Sequence, residues 1–280
     1  MSGLAYSKAV RPLAYDLHEP AKSKFYKDQS PLIFLHGLFG SKRNNRAISK
    51  VLARDLGRYV YAIDLRNHGE SPHAQRHDYP AMATDVLAFI KDNGLRDPTI
   101  IGHSMGAKTA MTLALWAPDS LASLIAVDNA PVHTALNDSF ALYIRAMSEI
   151  EAANITRQSE ADDILRRVEP SLAIRQFLLA NLYRPDSEDG RQRFRVPLQT
   201  LARSLHDLGD FPFFDPSKQK FEKPTLFIRG TNSNYVTDEM LPSIEQFFPK
   251  FRLIDIDAGH WVISEQPEAF HQAVVNFLQS

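Results

Sequence analysis

Short runs of consecutive apolar residues, bounded by turn-forming residues, recur along this chain. They lie at 31–37, 59–64, 98–102, 121–128, 224–230 and 251–257. Strands inside a parallel sheet are covered on both faces and are apolar throughout, so these runs predict buried strands. Leu13, Tyr15 and Leu17 instead occupy alternate positions, which predicts a less buried, antiparallel strand near the start.

Helical patterns separate these strands. Residues 79–93 repeat apolar side chains at helical spacing, with Pro80 near the start and Gly94 just beyond the end, where helices favour these residues. Similar apolar stripes predict helices after Gly106 and after Pro267. Regular alternation of strands and helices predicts an α/β fold, in which helices cover both faces of an open, mostly parallel sheet.

One long segment interrupts this alternation. It contains no strand pattern, but it contains four helical patterns, at 140–152, 160–168, 171–183 and 198–208. Two explanations compete: a separate helical domain, or an insertion into the alternating fold. Because strand patterns resume at Pro224, we favour an insertion. We therefore predict an α/β core formed by residues 1–132 and 214–280, with a helical cap at 133–213.

A five-residue motif follows one of the predicted strands and opens the next helix. It reads Gly102-His103-Ser104-Met105-Gly106 and matches G-x-S-x-G. A sharp strand-to-helix turn of this kind holds the serine in strained backbone geometry and lifts its hydroxyl clear of the chain. Gly102 and Gly106 are needed because a Cβ at either position would collide across the turn. Ser104 is therefore the candidate nucleophile.

A glycine-rich loop, His-Gly-Leu-Phe-Gly at 36–40, follows the first buried strand. Backbone N–H groups of such a loop, and those at the start of a helix, can point at the site above the serine. The amides of Leu38 and Met105 are our candidates for an oxyanion hole, which would stabilise the negative oxygen of a tetrahedral intermediate. For the His36 side chain we favour a structural hydrogen bond that braces the loop.

A histidine follows the last predicted strand, in the sequence Asp257-Ala-Gly-His260-Trp261. Gly259 lets this loop bend sharply, so that His260 can reach over the carboxyl edge of the sheet. The serine precedes the histidine in the chain, as the G-x-S-x-G type of hydrolase requires. His260 is therefore the candidate general base.

The residue counts exclude several other chemistries. The chain has 280 residues and a formal net charge of −1, so there is no excess charge to hold a nucleic acid backbone. It contains no cysteine, which removes thiolate nucleophiles, disulfides and Cys-ligated metals. His68, His73 and His77 lie in a loop-like stretch where no helix sets their directions, so no metal site is expected.

The sequence also lacks the patterns of a membrane-spanning helix and of a secretory signal peptide. No apolar run reaches the roughly 20 residues of a membrane-spanning helix. The first residues lack the apolar centre of a secretory signal peptide. We expect no integral membrane segment, and from these residues alone a cytoplasmic protein.

These residues resemble the α/β-hydrolase fold family. More closely, the chain is similar to a subgroup that contains bacterial esterases, mitochondrial abhydrolase-domain proteins of animals and fungi, and yeast ethanol acetyltransferases. The blocks that carry the resemblance are His-Gly-Leu-Phe-Gly-Ser (36–41), Asp-Leu-Arg-Asn-His-Gly-Glu-Ser (64–71), Tyr-Pro-Ala-Met-Ala (79–83), Gly-His-Ser-Met-Gly (102–106), Val-Asp-Asn-Ala-Pro (127–131), Gly-Thr-Asn-Ser-Asn-Tyr-Val (230–236) and Gly-His-Trp-Val (259–262).

The resemblance implies a mostly parallel eight-stranded sheet, a helical cap over the pocket and a Ser–Asp–His esterase or acyltransferase. It also implies that no cofactor is used, and that eukaryotic members are mitochondrial. No transit peptide is visible in the sequence itself.

The acid of the triad needs its own argument. In the wider family it commonly follows the seventh strand, but here Asn234 stands at that position, and an amide cannot balance an imidazolium. Asp128 ends the strand that lies beside the strand of Ser104 in this fold, and the subgroup resemblance indicates the same residue. Its alternative role is to cap the following turn. The rival acids are Asp238, Glu239, Asp255 and Asp257.

The leading hypothesis is a serine hydrolase that cleaves a small ester or thioester through an acyl-enzyme on Ser104. An alcohol O-acyltransferase is the alternative within enzymes, because the same acyl-enzyme serves both reactions. A non-catalytic receptor or partner-binding protein is the alternative of another class, since a fold alone does not imply activity. Cap aromatic residues are candidates for the pocket wall: Phe140, Tyr143, Phe177, Tyr183, Phe211, Phe213 and Phe214.

Overall fold

A seven-stranded sheet forms the centre of the computed structural model, which describes residues 8–21, 29–134, 136, 138–185 and 190–280. The strands are β1 (Tyr15–His18), β2 (Leu32–Leu35), β3 (Val60–Ile63), β4 (Thr99–His103), β5 (Ser123–Val127), β6 (Leu182–Tyr183), β7 (Arg193–Phe194), β8 (Thr225–Gly230) and β9 (Phe251–Ile256). The strand order in the sheet is β1-β3-β2-β4-β5-β8-β9. Strand β1 pairs antiparallel with β3, and the other neighbouring pairs are parallel.

Helices cover both faces of this sheet. They are α1 (Arg46–Leu56), α2 (Tyr79–Asp92), α3 (Met105–Trp116), α4 (Ser139–Ala152), α5 (Gln158–Leu165), α6 (Leu172–Leu179), α7 (Leu198–Gly209), α8 (Leu241–Phe247), α9 (Val262–Glu265) and α10 (Pro267–Gln279). One apolar cluster packs α1 and α10 against one face of the sheet. A second cluster packs α2, α3 and α8 against the other face and continues into α4–α7.

The seven strands of the sheet are the seven that the sequence pattern predicts, and the predicted α/β architecture, a mostly parallel sheet covered by helices, is confirmed. The count of eight strands that the resemblance implies is not reached among the described residues. The segment 22–28, between β1 and β2, lies outside them. Strand β9 also differs from its apolar pattern, because it is the last strand of the sheet and several of its residues are only partly buried.

The segment 133–213 contains helices α4–α7, as its patterns predict. The structure adds a short antiparallel hairpin, β6–β7, which the sequence analysis missed, and the helix expected over 171–183 ends at Leu179. Two-residue strands are too short to produce a periodic signal, which explains why they were missed. That this segment is a helical cap inserted into the α/β core stays a prediction. We call it the cap segment.

The two ends of the cap segment lie side by side. The amide of Thr134 donates a hydrogen bond to the carbonyl of Gly209 at 2.9 Å. Side chains of helices α2 and α3 also bind the second of these ends. The Tyr79 hydroxyl donates to the Leu208 carbonyl at 2.7 Å, and Lys108 Nζ donates to the Gly209 carbonyl at 3.0 Å. These hydrogen bonds join the two ends of the cap segment to each other and to the helices that cover the sheet.

Candidate active site

Ser104 lies on a tight turn between β4 and α3, with φ 54° and ψ −116°. A Cβ added to Gly102 would lie 2.3 Å from the carbonyl oxygen of Gly106, and one added to Gly106 would lie 2.5 Å from that of Leu35. No side chain fits at either position, so this turn requires glycine at both. The strained serine is 7% exposed and begins helix α3. Its hydroxyl stands at the carboxyl edge of the sheet.

His260 lies on the loop between β9 and α9 and bridges the other two candidate residues. Its Nε2 is 2.9 Å from Ser104 Oγ, and its Nδ1 is 2.7 Å from Asp128 Oδ2. When Nδ1 carries the proton and donates a hydrogen bond to the carboxylate, Nε2 keeps a lone pair for the serine hydroxyl. The loop is held by Glu265, whose carboxylate accepts from the Gly259 amide at 2.7 Å.

Asp128 follows β5 directly and is fully buried, with φ 50°. Besides His260, it accepts hydrogen bonds from Ser233 Oγ at 2.5 Å and from the Gly230 amide at 3.1 Å. Three donors thus surround one buried carboxylate, which fixes its plane and compensates for its loss of water. The structure therefore brings Ser104, Asp128 and His260 together in one hydrogen-bonded row.

The rival acids are engaged elsewhere. Arg229 binds both Asp255, at 2.8 Å, and Asp238, at 2.6 Å. Asp257 accepts a hydrogen bond from an asparagine of the loop after β8, and Glu239 is exposed to solvent. Among the described residues, Asp128 is the carboxylate that hydrogen-bonds the imidazole of His260, and these four do not.

The loop after β8 carries two contacts that the sequence analysis missed. Ser233 donates to Asp128, as described, and the ring of Tyr235 stacks on the imidazole of His260 with centroids 3.9 Å apart and planes 21° apart. Asn234, which stands where the wider family has its acid, is exposed. A serine and a tyrosine within three residues give no chemical signal on their own, so only the folded loop reveals these roles.

The loop at 37–40, which we call the oxyanion loop, lies against the serine. A Cβ added to Gly37 would be 3.3 Å from Ser104 Cβ. The Gly37 carbonyl accepts from the Gly40 amide at 3.0 Å and binds His36 Nδ1 at 2.8 Å. Because the peptide unit is planar and trans, these two bonds turn the N–H of Leu38 in the opposite direction. His36 braces the loop, which is the role favoured from the sequence.

The loop after β3 supports this arrangement through Asp64. Its carboxylate accepts from the Lys42 amide at 2.6 Å, from Lys42 Nζ at 2.8 Å and from the Glu70 amide at 2.9 Å. Its neighbour Leu65 donates its amide to His36 Nε2 at 3.0 Å. The oxyanion loop is therefore fixed to the sheet through His36.

Aromatic side chains of the cap segment contact the loops on both sides of the serine. Phe177 packs on Trp261 with centroids 4.5 Å apart, and Phe140 packs on Phe39 at 6.1 Å. Of the other candidates for the pocket wall, Phe211 is buried in the core and Phe214 is 79% exposed. Two of the aromatic residues proposed from the sequence thus lie beside the candidate site.

The described residues also bear on the predictions about metal ions and membrane segments. No group of three or more His, Asp or Glu side chains in this part of the chain is arranged to hold a metal ion. Within the same residues, no helix combines the length and apolar character needed to cross a membrane.

Comparison with known proteins gives a match over most of the chain. A family model described as "alpha/beta hydrolase fold" matches residues 30–267. A solved structure titled "Marine microorganism esterase" is 34% identical, covers 95% of this chain and 98% of that one, and superposes with a TM-score of 0.85.

Two relatives have names that differ in the reaction. A "Probable alcohol acetyltransferase" of Saccharomyces cerevisiae is 41% identical over 268 residues, which cover 90% of this chain and 78% of the yeast protein. An "sn-1-specific diacylglycerol lipase ABHD11" of Xenopus laevis is 39% identical over 280 residues, which cover 98% of this chain and 86% of the frog protein.

Proposed function

Because this chain belongs to the alpha/beta hydrolase fold family, we propose that Ser104, His260 and Asp128 are its catalytic triad. The chain is an enzyme of the esterase and acyltransferase type. The observation that carries the proposal is the pair of hydrogen bonds from one imidazole, at 2.9 Å to Ser104 Oγ and 2.7 Å to Asp128 Oδ2. This geometry lets one histidine take the serine proton while its other nitrogen is held by a carboxylate.

The reaction follows from this geometry in two steps. His260 removes the proton of Ser104, and the serine oxygen attacks the carbonyl carbon of an ester or thioester. The Leu38 and Met105 amides stabilise the oxyanion, and the protonated His260 gives its proton to the departing alcohol or thiol. Water, activated by the same histidine, then attacks the acyl-enzyme and releases the acid, which restores Ser104.

Alcohol O-acyl transfer is the second candidate function. It needs no other residue, because an alcohol replaces water in the second step, and the yeast relative carries the name of an acetyltransferase. The test is product analysis after incubation with p-nitrophenyl acetate, with and without added ethanol. Acetate alone indicates a hydrolase, and ethyl acetate formed at the expense of acetate indicates a transferase. A folded protein that turns over no ester, and whose Ser104 does not react with a fluorophosphonate probe, would favour a binding protein instead.

The pH dependence should report one histidine, although two lie side by side. His103 binds the carbonyl oxygen of His260 through Nε2 at 2.8 Å. Burial, followed by the charge of His260, lowers the pKa of His103 to about 4, so it is neutral at any pH above about 5. A histidine base works only when neutral. Because His103 is already neutral, hydrolysis should rise with pH in a single step, as His260 loses its proton.

Rates of p-nitrophenyl acetate hydrolysis from pH 5 to 9 check this prediction. His103→Gln keeps a donor to the same carbonyl and should leave the midpoint of the rise unchanged. The rise should also persist in EDTA. A second titration step that disappears in the variant, or an activity that EDTA abolishes and zinc restores, would contradict the proposed mechanism.

We propose that the substrates carry short to medium acyl chains. The support is the closeness of the cap aromatic residues, because Phe177 and Phe140 contact the loops on either side of a serine that is 7% exposed. One methylene group that does not fit a pocket of fixed size changes kcat/KM by roughly 10–200-fold. We expect kcat/KM for p-nitrophenyl butyrate to exceed that for the laurate by at least about tenfold.

A panel of p-nitrophenyl esters of increasing chain length measures this preference. Phe177→Ala should improve the laurate relative to the butyrate by enlarging the space beside Trp261. Phe214→Ala is the matched control, because that ring is mainly in solvent, and it should leave the ratio unchanged. Peak activity on an emulsified long-chain triglyceride would show that the pocket is not closed as we propose.

A mitochondrial location is our proposal from the family resemblance alone. The cap segment, as a domain that covers the site, is likewise a proposal. Its support is the joined ends of the segment and the contacts of its aromatic residues with both site loops.

A further inference from the structure

The peptide units on either side of Phe39 are held from two different parts of the molecule. The Phe39 amide donates to Nε2 of His68 at 3.1 Å, and the Phe39 carbonyl accepts from Nδ2 of Asn181 at 2.8 Å. His68 belongs to the loop after β3, whereas Asn181 belongs to the cap segment. Phe39 has φ 61°, a left-handed conformation that is unfavourable for a residue with a side chain. The two hydrogen bonds keep it there.

Both partners of Phe39 are buried and fixed in their own surroundings. Burial holds the pKa of His68 well below its usual range, so the ring is neutral. Its Nδ1 lies 3.0 Å from the Arg66 carbonyl and donates to it, which leaves Nε2 as the acceptor. Asn181 is 5% exposed and lies between α6 and β6, where its carbonyl accepts from the Arg195 amide at 2.9 Å. This bond joins Asn181 to the hairpin β6–β7 of the cap segment.

We propose that Asn181 is a positioning residue through which the cap segment fixes the oxyanion loop. The inference rests on the proposed function, since it concerns the loop that carries the Leu38 amide of the proposed oxyanion hole. Leu38 lies between two restrained points: the Gly37 carbonyl, bound by His36, and the left-handed Phe39, bound by Asn181. Without the side-chain amide of Asn181, Phe39 relaxes out of its strained left-handed conformation, and the Leu38 N–H turns away from the serine. The oxyanion hole is complete only while the cap is in place.

Asn181→Asp tests this with little change in shape. A carboxylate cannot donate, and it repels the Phe39 carbonyl. We expect kcat for p-nitrophenyl acetate to fall by at least about tenfold. This is a smaller effect than the roughly 10²–10³-fold fall in kcat when an oxyanion donor is removed. KM should stay within about twofold of the wild-type value. The inhibition constant of a trifluoromethyl ketone, whose adduct on Ser104 carries an oxyanion, should rise by a similar factor. The pH midpoint should not move, because His260 and Asp128 are untouched.

Asn181→Ala removes the donor without a charge and gives the same readouts if the aspartate variant does not fold. Ser204→Ala is the matched control, because Ser204 is a buried cap residue whose hydroxyl binds the Thr200 carbonyl within its own helix. It should keep kcat and the inhibition constant of the wild type. Circular dichroism checks that each variant is folded. Titration of the reactive serine gives the concentration of active enzyme by which each rate is divided.

The outcomes separate this inference from the proposed function. Ser104→Ala is measured in parallel, and full activity in that variant would overturn the proposed function itself. If Ser104→Ala is inactive but a folded Asn181 variant keeps the kcat and ketone affinity of the wild type, the positioning role is wrong and the proposed function stands. A rise in KM with unchanged kcat would also overturn it, because that pattern describes lost substrate binding.

Discussion

Ser104→Ala should lower kcat for ester hydrolysis by about 10⁵–10⁶-fold, since it removes the atom that forms the acyl-enzyme. The fold should survive, because alanine is no more strained than serine at φ 54° and the glycines on either side are unchanged. The double variant Ser104→Ala with His260→Ala should be little worse than either single variant, because the two side chains act as one unit joined by a 2.9 Å hydrogen bond.

Burst and steady-state rates with p-nitrophenyl acetate measure both effects, with far-UV circular dichroism as the check of folding. Additive losses in the double variant would mean that the two residues act independently. More than about one per cent of wild-type activity in folded Ser104→Ala would identify a different nucleophile, since a triad serine contributes several orders of magnitude more.

Asp128→Asn should lower kcat by about 10³–10⁴-fold without unfolding the protein. The reason lies in the three donors around the carboxylate, which are His260 Nδ1, Ser233 Oγ and the Gly230 amide. An amide has one oxygen and one NH₂ group, so it cannot accept from donors on both sides. If its oxygen faces Gly230, its NH₂ faces the imidazole and stabilises the tautomer that cannot accept the serine proton.

Asn234 provides the matched control for this experiment. Asn234→Ala should have a much milder effect, because that side chain is exposed and has no charge. Asn234→Asp places a carboxylate at the commoner family position, and it should restore part of the activity of Asp128→Asn if the loop reaches His260. Near-normal activity in a folded Asp128→Asn variant would move the acid elsewhere, with Asp238 the first candidate despite its ion pair with Arg229.

Much of the site follows from local patterns, because its main residues stand at strand ends. The turn at Ser104 needs two glycines, and the backbone collisions at Gly102 and Gly106 show why a sequence with this turn must contain them. Asp128 was predicted because adjacent parallel strands end at the same edge of the sheet. Strand ends are fixed by burial, which is the strongest signal that a sequence contains.

The contacts that the sequence analysis missed depend on how loops fold. Tyr235 stacks on His260 only because the turn at 230–235 reverses the chain over the imidazole. Asn181 binds Phe39 across 142 positions of sequence, and no periodic pattern joins them. Neither the short hairpin β6–β7 nor the end of α6 at Leu179 has a strong signature, since both are set by tertiary packing.

The joined ends of the cap segment also bear on how such an enzyme changes its substrate range. Because one hydrogen bond connects Thr134 with Gly209, we expect that a segment of a different length can be joined at the same two points. The entropy of closing a loop grows only with the logarithm of its length, so a longer or shorter insertion costs little stability. We therefore expect the cap segment to be exchangeable while the proposed triad stays in place. If Asn181 positions the oxyanion loop as we propose, a replacement also needs a donor to the carbonyl of Phe39.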